Sequence, residues 1–202
     1  MTDRRGIILD RDGTLIDVVR DEETGVITTA FHPSHLRLLG GVVAGLRALS
    51  DAGFVLAIAT NQPGPAKGHF SRDAVTRTNE ALVALLAAEG IVIAKVASCI
   101  HHPSGGAGGD AALVGPCRCR KPAPGMLLDL AADLGLDPAR SWMVGDTTSD
   151  VVAGHAAGMK AALLFDEKRC ELCPLRAGPP VGADLTAPKL DTLAQRILAL
   201  GA

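Results

Sequence analysis

Polar side chains directly follow three short apolar segments of the chain, and four of these side chains are carboxylates. They are Asp10 and Asp12, then Thr60, Asn61 and Gln62, and finally Asp146 and Asp150. A single Asp after a strand usually caps a turn or a helix, but three such ends in one chain are harder to explain by capping. Carboxylates that lie close together repel each other, so a divalent cation is their natural partner. Mg²⁺ suits such a site because it prefers oxygen ligands and keeps several of its waters.

Cysteine and histidine residues form a second group of possible ligands. Cys99 and His101 are followed, after 15 intervening residues, by Cys117 and Cys119. Three thiols and one imidazole are a complete tetrahedral ligand set for Zn²⁺, and without an open position the metal would be structural rather than catalytic. A single Cys is usually a small buried hydrophobe, but these four residues flank a Gly-rich segment that core packing does not require. The sequence therefore predicts a structural zinc site in a loop at residues 99–119.

The alternation of apolar segments with helical patterns predicts an α/β fold that would position these residues. Short apolar, β-branched segments predict buried strands at residues 6–10, 54–60, 91–99, 141–145 and 161–165. Apolar residues three and four positions apart predict helices at residues 42–52, 72–89, 125–134, 150–157 and 186–200. This order is typical of a Rossmann-like three-layer sandwich with a central parallel sheet. Because ligands bind beyond the carboxyl ends of parallel strands, the polar residues should meet at one edge of the sheet.

Length, charge and composition exclude several classes of protein. We expect residues 1–202 to form a single domain whose core needs no disulfide bonds. The net charge of −2 and the low aromatic content argue against a nucleic-acid partner. No apolar segment reaches the roughly 18 residues of a membrane span, and the N-terminus lacks a signal-peptide core, so we expect a cytoplasmic protein. Its thiols should be reduced there, including Cys170 and Cys173, for which a second metal would need two further ligands.

Four motifs in this order resemble the haloacid dehalogenase superfamily. They are Asp-x-Asp-Gly-Thr at 10–14, Thr-Asn at 60–61, Lys-Pro at 121–122 and Gly-Asp-x-x-x-Asp at 145–150. The resemblance implies a phosphatase in which Asp10 attacks phosphorus and forms an aspartyl-phosphate. It implies that Asp12 protonates the leaving alkoxide and then activates water. Its backbone carbonyl is implied to bind Mg²⁺ together with the carboxylates of Asp10 and Asp146.

The resemblance also assigns residues to the phosphoryl group. Thr60, Asn61 and Gln62 are implied to bind the substrate through hydrogen bonds, and Lys121 is implied to supply a positive charge, with Thr60 and Lys121 taking part in catalysis. We expect Asp150 to support the site or to start a helix rather than to bind metal. A bound cation would remove the repulsion between a carboxylate nucleophile and a phosphate dianion.

The Cys and His motifs narrow this resemblance. Cys-x-His-His-Pro at 99–103 and Cys-x-Cys-Arg-Lys-Pro at 117–122 are similar to the histidinol-phosphate/heptose-bisphosphate phosphatase branch of the superfamily. The spacing in that branch implies His101 rather than His102 as the zinc ligand. It also implies that Arg120 and Lys121 contact the phosphoryl group, and we expect the zinc to anchor the loop that carries them. The gaps between the motifs leave no room for a large cap domain.

The implied reaction is the Mg²⁺-dependent hydrolysis of a sugar phosphate monoester. The best match is removal of the 7-phosphate of D-glycero-D-manno-heptose 1,7-bisphosphate, with histidinol phosphate as the alternative substrate. A non-catalytic zinc-loop binding module on a phosphatase fold is the alternative from a different class. The sequence departs from the branch pattern in a longer segment at 17–39, in Pro63 and in Ala123. We expect a monomer that acts on a small phosphorylated sugar without an obligate protein partner.

Overall fold

Strands alternate with helices along the chain, as the apolar pattern predicts. The structure is a computed structural model that describes residues 4–20, 23, 27–165 and 182–201. The strands are β1 (Gly6–Leu9), β2 (Val19–Arg20), β3 (Ile27–Thr28), β4 (Val55–Asn61), β5 (Lys95–Cys99), β6 (Trp142–Gly145), β7 (Lys160–Leu164) and β8 (Leu185–Ala187). The helices are α1 (Val42–Asp51), α2 (Gly64–Lys67), α3 (Arg72–Ala88), α4 (Gly125–Leu134), α5 (Thr148–Ala156) and α6 (Leu190–Ala199). The pair Cys170 and Cys173 lies outside the described residues.

Six of these strands form one parallel sheet in the order β5-β4-β1-β6-β7-β8. The first strand lies at the centre, where Ile8 pairs with Ala57 of β4 on one side and with Met143 of β6 on the other. The chain therefore builds the sheet outward from β1 in both directions. In such a sheet the crevice beyond the carboxyl ends of the central strands is the place where ligands bind.

Alternate side chains of β1 pack against helices on opposite faces of the sheet. Ile7 and Leu9 belong to a core that includes side chains of α1, α3 and α6. Ile8 belongs to a second core, which includes side chains of α4 and α5. Because successive strand residues point to opposite faces, one apolar segment supplies both cores. The result is the three-layer sandwich that the sequence predicts.

Two predicted elements differ from those in the structure. The predicted strand at 91–99 is limited to β5, and Ile91 packs into the core ahead of it. The predicted helix at 186–200 begins as β8, which pairs with β7, and only then continues as α6. Pro188 separates the two, since proline has no N–H to donate and its ring restricts the backbone. Among the described residues, no helix combines the length and the apolar character needed to cross a membrane.

The segment at 17–39 forms a small antiparallel pair, β2 with β3, and then returns to the main sheet. Its return passes Thr29 and Ala30, which contact residues at the end of β1. The composition of the Gly-rich segment at 104–109 predicts a flexible connection. In the structure its backbone packs against α2. A Cβ at Gly109 would collide with the carbonyl group of Ala66, so this contact requires glycine.

Candidate active site

Three carboxylates meet beyond the carboxyl ends of β1 and β6. Asp10 follows β1, Asp146 follows β6, and Asp150 lies in the first turn of α5. One oxygen atom of each lies within 4.8 Å of the other two. Asp146 Oδ1 is buried and has no hydrogen-bond partner among the described residues. An unpaired buried carboxylate oxygen among two other carboxylates fits the ligand preference of a hard divalent cation such as Mg²⁺.

The pKa values of these carboxyl groups reflect their burial and mutual repulsion. Burial raises the pKa of Asp10 to about 6, against the lowering effect of Lys121. Burial and then the charges of Asp10 and Asp150 raise the pKa of Asp146 to about 8. A cation bound between the groups would favour their ionised forms and oppose these shifts.

Gly13 allows the first motif to approach Asp146 closely. Its φ angle is +83°, in the region that glycine adopts readily. A Cβ at this position would collide with Asp146 Oδ2. Glycine in the Asp-x-Asp-Gly-Thr motif is therefore required both by the turn and by the space that the carboxylate occupies.

Lys121 places its ammonium group among the carboxylates. Its Nζ donates hydrogen bonds of 2.8 Å to Asp10 Oδ1 and of 2.8 Å to the carbonyl oxygen of Ala59, and it forms an ion pair with Asp150 Oδ1 at 2.5 Å. Burial lowers the pKa of Lys121, but the charges of Asp10 and Asp150 outweigh this effect and raise it above its ordinary value. Lys121 is therefore a permanent positive charge beside the predicted nucleophile.

Asp150 has two roles in this arrangement. As the sequence indicates, it starts a helix, because its Oδ2 accepts a 3.0 Å hydrogen bond from the backbone N–H of Thr147. Its Oδ1 pairs with Lys121. The second role has no signal in the sequence, since it depends on a lysine that lies in a different loop.

The side chain of Asn61, at the end of β4, forms two hydrogen bonds with the backbone of Lys121. Its Oδ1 accepts a 3.1 Å bond from the Lys121 N–H, and its Nδ2 donates a 3.0 Å bond to the Lys121 carbonyl oxygen. Asn61, a predicted ligand of the phosphoryl group, thus also positions Lys121, a second predicted ligand. The other N–H of its amide has no acceptor among the described residues and can donate to a substrate oxygen.

Thr60 and Gln62 lie on either side of Asn61 and are both buried. Gln62 Nε2 donates to Thr60 Oγ1 at 2.8 Å and to Asp12 Oδ2 at 2.7 Å, while its Oε1 accepts from the Thr29 hydroxyl at 3.1 Å. The bond to Thr60 Oγ1 leaves the Thr60 hydroxyl proton available to a phosphoryl oxygen. The structure places Gln62, a predicted substrate ligand, in contact with the predicted acid–base residue.

The Cys99 and His101 pair meets Cys117 and Cys119 at the end of β5. The four ligand atoms lie within 4.8 Å of one another. The Sγ atom of Cys99 is 3.7 Å from that of Cys117 and 3.1 Å from that of Cys119, and His101 Nδ1 is 3.8 Å and 3.4 Å from Cys99 and Cys119. Ligands about 2.3 Å from a tetrahedral metal are about 3.8 Å apart, so the donors and their separations fit zinc.

The loop that follows this cluster leads directly to the carboxylates. Arg120 is half-buried, and its Nη1 lies 3.4 Å from the carbonyl oxygen of His101. Lys121 comes next and enters the site described above. The position of both basic side chains therefore depends on the same short segment that carries Cys119.

Sequence reasoning did not find Arg11 and Asn79, two of the side chains that hold Asp12 directly or through a neighbour. Arg11 is fully buried and contacts Asp12, Thr29 and Asn79. The one signal that could have revealed Arg11 is an arginine two residues beyond an apolar strand, between two predicted site carboxylates, where an unpaired buried charge is costly. Asn79 carries no such signal, because it lies 68 residues away in α3.

Comparisons with known proteins identify relatives of this chain. A family model described as HAD-hydrolase-like matches residues 118–187. D-glycero-beta-D-manno-heptose-1,7-bisphosphate 7-phosphatase from Pasteurella multocida is 34% identical over 161 residues, which cover 80% of this chain and 81% of that protein. The protein of the same name from Rhodopseudomonas palustris is 39% identical over 156 residues, covering 77% and 81%.

A solved structure shows the same likeness. It is D,D-heptose 1,7-bisphosphate phosphatase from B. bronchiseptica, complexed with magnesium and phosphate. This structure has a TM-score of 0.75, is 28% identical, and covers 98% of this chain and 99% of that one. Together with the relatives above 30% identity, it places the chain in a known class of phosphoric monoester hydrolases. The chain belongs to the heptose-1,7-bisphosphate 7-phosphatase family of the haloacid dehalogenase superfamily.

Proposed function

We propose that this protein is a Mg²⁺-dependent phosphatase that removes the 7-phosphate of D-glycero-D-manno-heptose 1,7-bisphosphate through an aspartyl-phosphate on Asp10. The observation that carries the proposal is the buried cluster in which Asp10 meets both Lys121 and Asp146. The names of the relatives support the choice of substrate.

The carboxylates of Asp10 and Asp146 and the backbone carbonyl of Asp12 would hold the magnesium ion. The unpaired Oδ1 of Asp146 supports this assignment, as does the magnesium in the related structure. When bound, Mg²⁺ neutralises the charges of the nucleophile and the phosphate dianion. Lys121 adds a fixed positive charge next to Asp10 Oδ1, to which its Nζ donates a hydrogen bond.

The reaction then proceeds in two steps on residues of this chain. An oxygen of Asp10 forms a bond to phosphorus while the bond to the sugar oxygen breaks, and Asp12 gives its proton to the leaving alkoxide. Asp12, now a carboxylate, takes a proton from water as the water oxygen attacks phosphorus. The bond from phosphorus to Asp10 breaks, which releases inorganic phosphate and regenerates the free carboxylate.

Four side chains and one metal-supported loop would orient the phosphoryl group. The Thr60 hydroxyl and the remaining Asn61 N–H are free to donate, and Arg120 and Lys121 supply positive charge. We propose that zinc on Cys99, His101, Cys117 and Cys119 has a structural role, because it would fix the segment that carries both basic residues. Gln62 would act through Asp12 and Thr60, because its amide N–H groups donate hydrogen bonds to both side chains.

Phosphate release from a panel of substrates tests the proposal. Wild-type protein with Mg²⁺ should hydrolyse the heptose bisphosphate at least tenfold more efficiently, in kcat/KM, than histidinol phosphate. The reverse preference would identify histidinol phosphate as the substrate, and no turnover of any phosphoester would favour the non-catalytic binding module.

The Asp10→Asn variant tests the nucleophile within the same panel. It should retain less than about 1% of the activity, because the amide has nearly the same shape but is a poor nucleophile. Asp133→Asn is the matched control, since Asp133 is half-exposed and pairs with Lys95 away from the site. Activity of Asp10→Asn above that level would remove Asp10 from the role of nucleophile.

A further inference from the structure

The side chain of Arg11 is the largest fully buried side chain of the protein's described residues. Its Nε and Nη2 lie 3.0 Å and 3.3 Å from the two carboxylate oxygens of Asp12. Its Nη2 also contacts Thr29 Oγ1 at 2.8 Å and the carbonyl oxygen of Ala30 at 2.5 Å. A buried guanidinium is costly unless its N–H groups are paired, and here they are paired with groups from the end of β1 and the 17–39 segment.

The same guanidinium reaches a helix on the far side of the site. Arg11 Nη1 donates a 2.7 Å bond to Asn79 Oδ1, and Asn79 Nδ2 donates a 2.8 Å bond to the Ser98 hydroxyl of β5. Asn79 is 8% exposed, so these bonds are largely shielded from water. Asn79 of α3 therefore orients the guanidinium group of Arg11, because it holds Nη1 in place through this hydrogen bond.

Asp12 receives donors on both of its carboxylate oxygens. Oδ1 accepts from the Ala30 N–H at 3.0 Å and from Arg11, while Oδ2 accepts from Gln62 Nε2 at 2.7 Å and from Arg11. The outer torsion of an Asp side chain is broad and is not fixed by rotamer preference alone. Donors from three separate segments, at residues 11, 30 and 62, define it here.

We propose that Arg11, Gln62 and Asn79 are positioning residues that orient the Asp12 carboxylate toward the leaving-group oxygen. This inference rests on the proposed function, in which Asp12 is the general acid and base. None of the three needs to touch the substrate. Arg11 and Gln62 act on Asp12 directly, and Asn79 acts on it through Arg11.

Leaving-group dependence separates this role from a structural one. A sugar alkoxide needs a proton as it leaves, whereas 4-nitrophenolate is stable without one. The parameter kcat/KM reports the steps up to cleavage of the ester bond, so it isolates the step in which Asp12 acts as an acid. A misoriented Asp12 should therefore impair kcat/KM for the sugar phosphate and spare it for 4-nitrophenyl phosphate.

Asn79→Leu is the main variant, because Asn79 is remote from the phosphoryl ligands. It should lower kcat/KM for the heptose bisphosphate about tenfold, because it displaces the Asp12 carboxylate by well under about 1 Å. It should change kcat/KM for 4-nitrophenyl phosphate less than about threefold. Asn79→Asp should restore most of the loss, since it keeps the acceptor for Arg11. Gln62→Met removes a direct donor to Asp12 and should cost about a hundredfold on the sugar phosphate. It also removes the bond to Thr60, so it should cause a smaller loss on 4-nitrophenyl phosphate.

Thr78→Val is the matched control on the same helix. Thr78 is also buried, but its hydroxyl donates to the Ala74 carbonyl oxygen of its own helix. It should leave the ratio of the two kcat/KM values unchanged even if stability falls. Circular dichroism and thermal unfolding identify any variant that fails to fold, and Gln62→Met then tests the inference independently of Asn79.

Two outcomes would overturn the inference. One is an equal loss on both substrates in Asn79→Leu and Gln62→Met, and the other is wild-type kcat/KM on the sugar phosphate in both folded variants. Failure of the proposed function looks different, because the wild-type protein itself would then not hydrolyse the heptose bisphosphate. Any other alkyl phosphate that the wild-type protein hydrolyses can take its place in the comparison.

Discussion

Lys121 provides a quantitative test of how burial determines the strength of an ion pair. Its side chain is 2% exposed and it pairs with Asp10 and Asp150 at 2.8 Å and 2.5 Å. Lys95 pairs with Asp133 at a similar distance of 2.6 Å, but these two side chains are 46% and 51% exposed. The two lysines therefore differ in solvent exposure far more than in geometry.

Replacement of each lysine by methionine keeps most of the aliphatic stem and removes the charge. Lys121→Met leaves buried carboxylates without their counter-charge, and removal of one partner of a buried pair costs about 3–5 kcal/mol. Lys95→Met breaks an exposed pair, which is worth at most about 1 kcal/mol. For a protein of this size, Lys121→Met should lower Tm by about 6–20 °C.

Urea unfolding in EDTA at pH 7 measures both free energies. Lowering the pH to 5 should reduce the loss in Lys121→Met, because a protonated Asp10 no longer needs a counter-charge. Addition of Mg²⁺ at pH 7 should also recover part of it, since the cation supplies positive charge to the same carboxylates. Equal losses in the two variants, or a loss in Lys121→Met that is unaffected by both pH and Mg²⁺, would refute the reasoning.

Three further predictions concern the metals and the sheet. Cys119→Ser should lose the one zinc per chain that elemental analysis is expected to find in the wild type, and activity should fall about a hundredfold because Arg120 is misplaced. Metal-free protein should lose stability as the pH rises from about 4 to about 8, because folded Asp146 keeps its proton up to about pH 8 while the unfolded chain releases it near 3.8. Thermal unfolding of Asp146→Asn should show a flatter pH profile, and calorimetry in two buffers should detect proton release when Mg²⁺ binds to the wild type at pH 7. Ser141→Ala should destabilise the fold by about 1–3 kcal/mol in urea unfolding, since the buried N–H of Gly6 loses its 2.9 Å acceptor.

Much of this fold is visible in the sequence because its signals are local. The apolar segments that form β1, β4 and β6 are short and continuous, and each is followed by polar residues that can only lie at the carboxyl edge of the sheet. The order of the strands is not predicted from the sequence; in the structure β6 lies beside β1, which brings Asp10 and Asp146 together. Pro188 shows the limit of the periodic pattern, because a three-residue strand ahead of it has the same apolar spacing as a helix.

The site was less predictable where side chains from distant segments share a hydrogen bond. Gln62 lies in a motif that suggests phosphate binding, and nothing in its neighbours indicates that its amide is bonded to Asp12. Asn79 has the appearance of an ordinary helix residue, since its two partners lie 68 and 19 residues away. Such contacts depend on how α3 packs on the sheet. Sequence periodicity predicts which face of the helix is buried, but it does not predict which pairs of atoms meet there.

The double role of Asp150 links the start of α5 to the charge balance of the site. When the first turn of α5 opens, the Thr147 N–H loses its acceptor and Lys121 loses one of its two carboxylates in the same event. Local openings of this kind require less free energy than global unfolding. Amide hydrogen exchange at the first turn of α5 and thermal inactivation should therefore report one equilibrium. The enzyme would then stop working on heating while its central sheet is still intact.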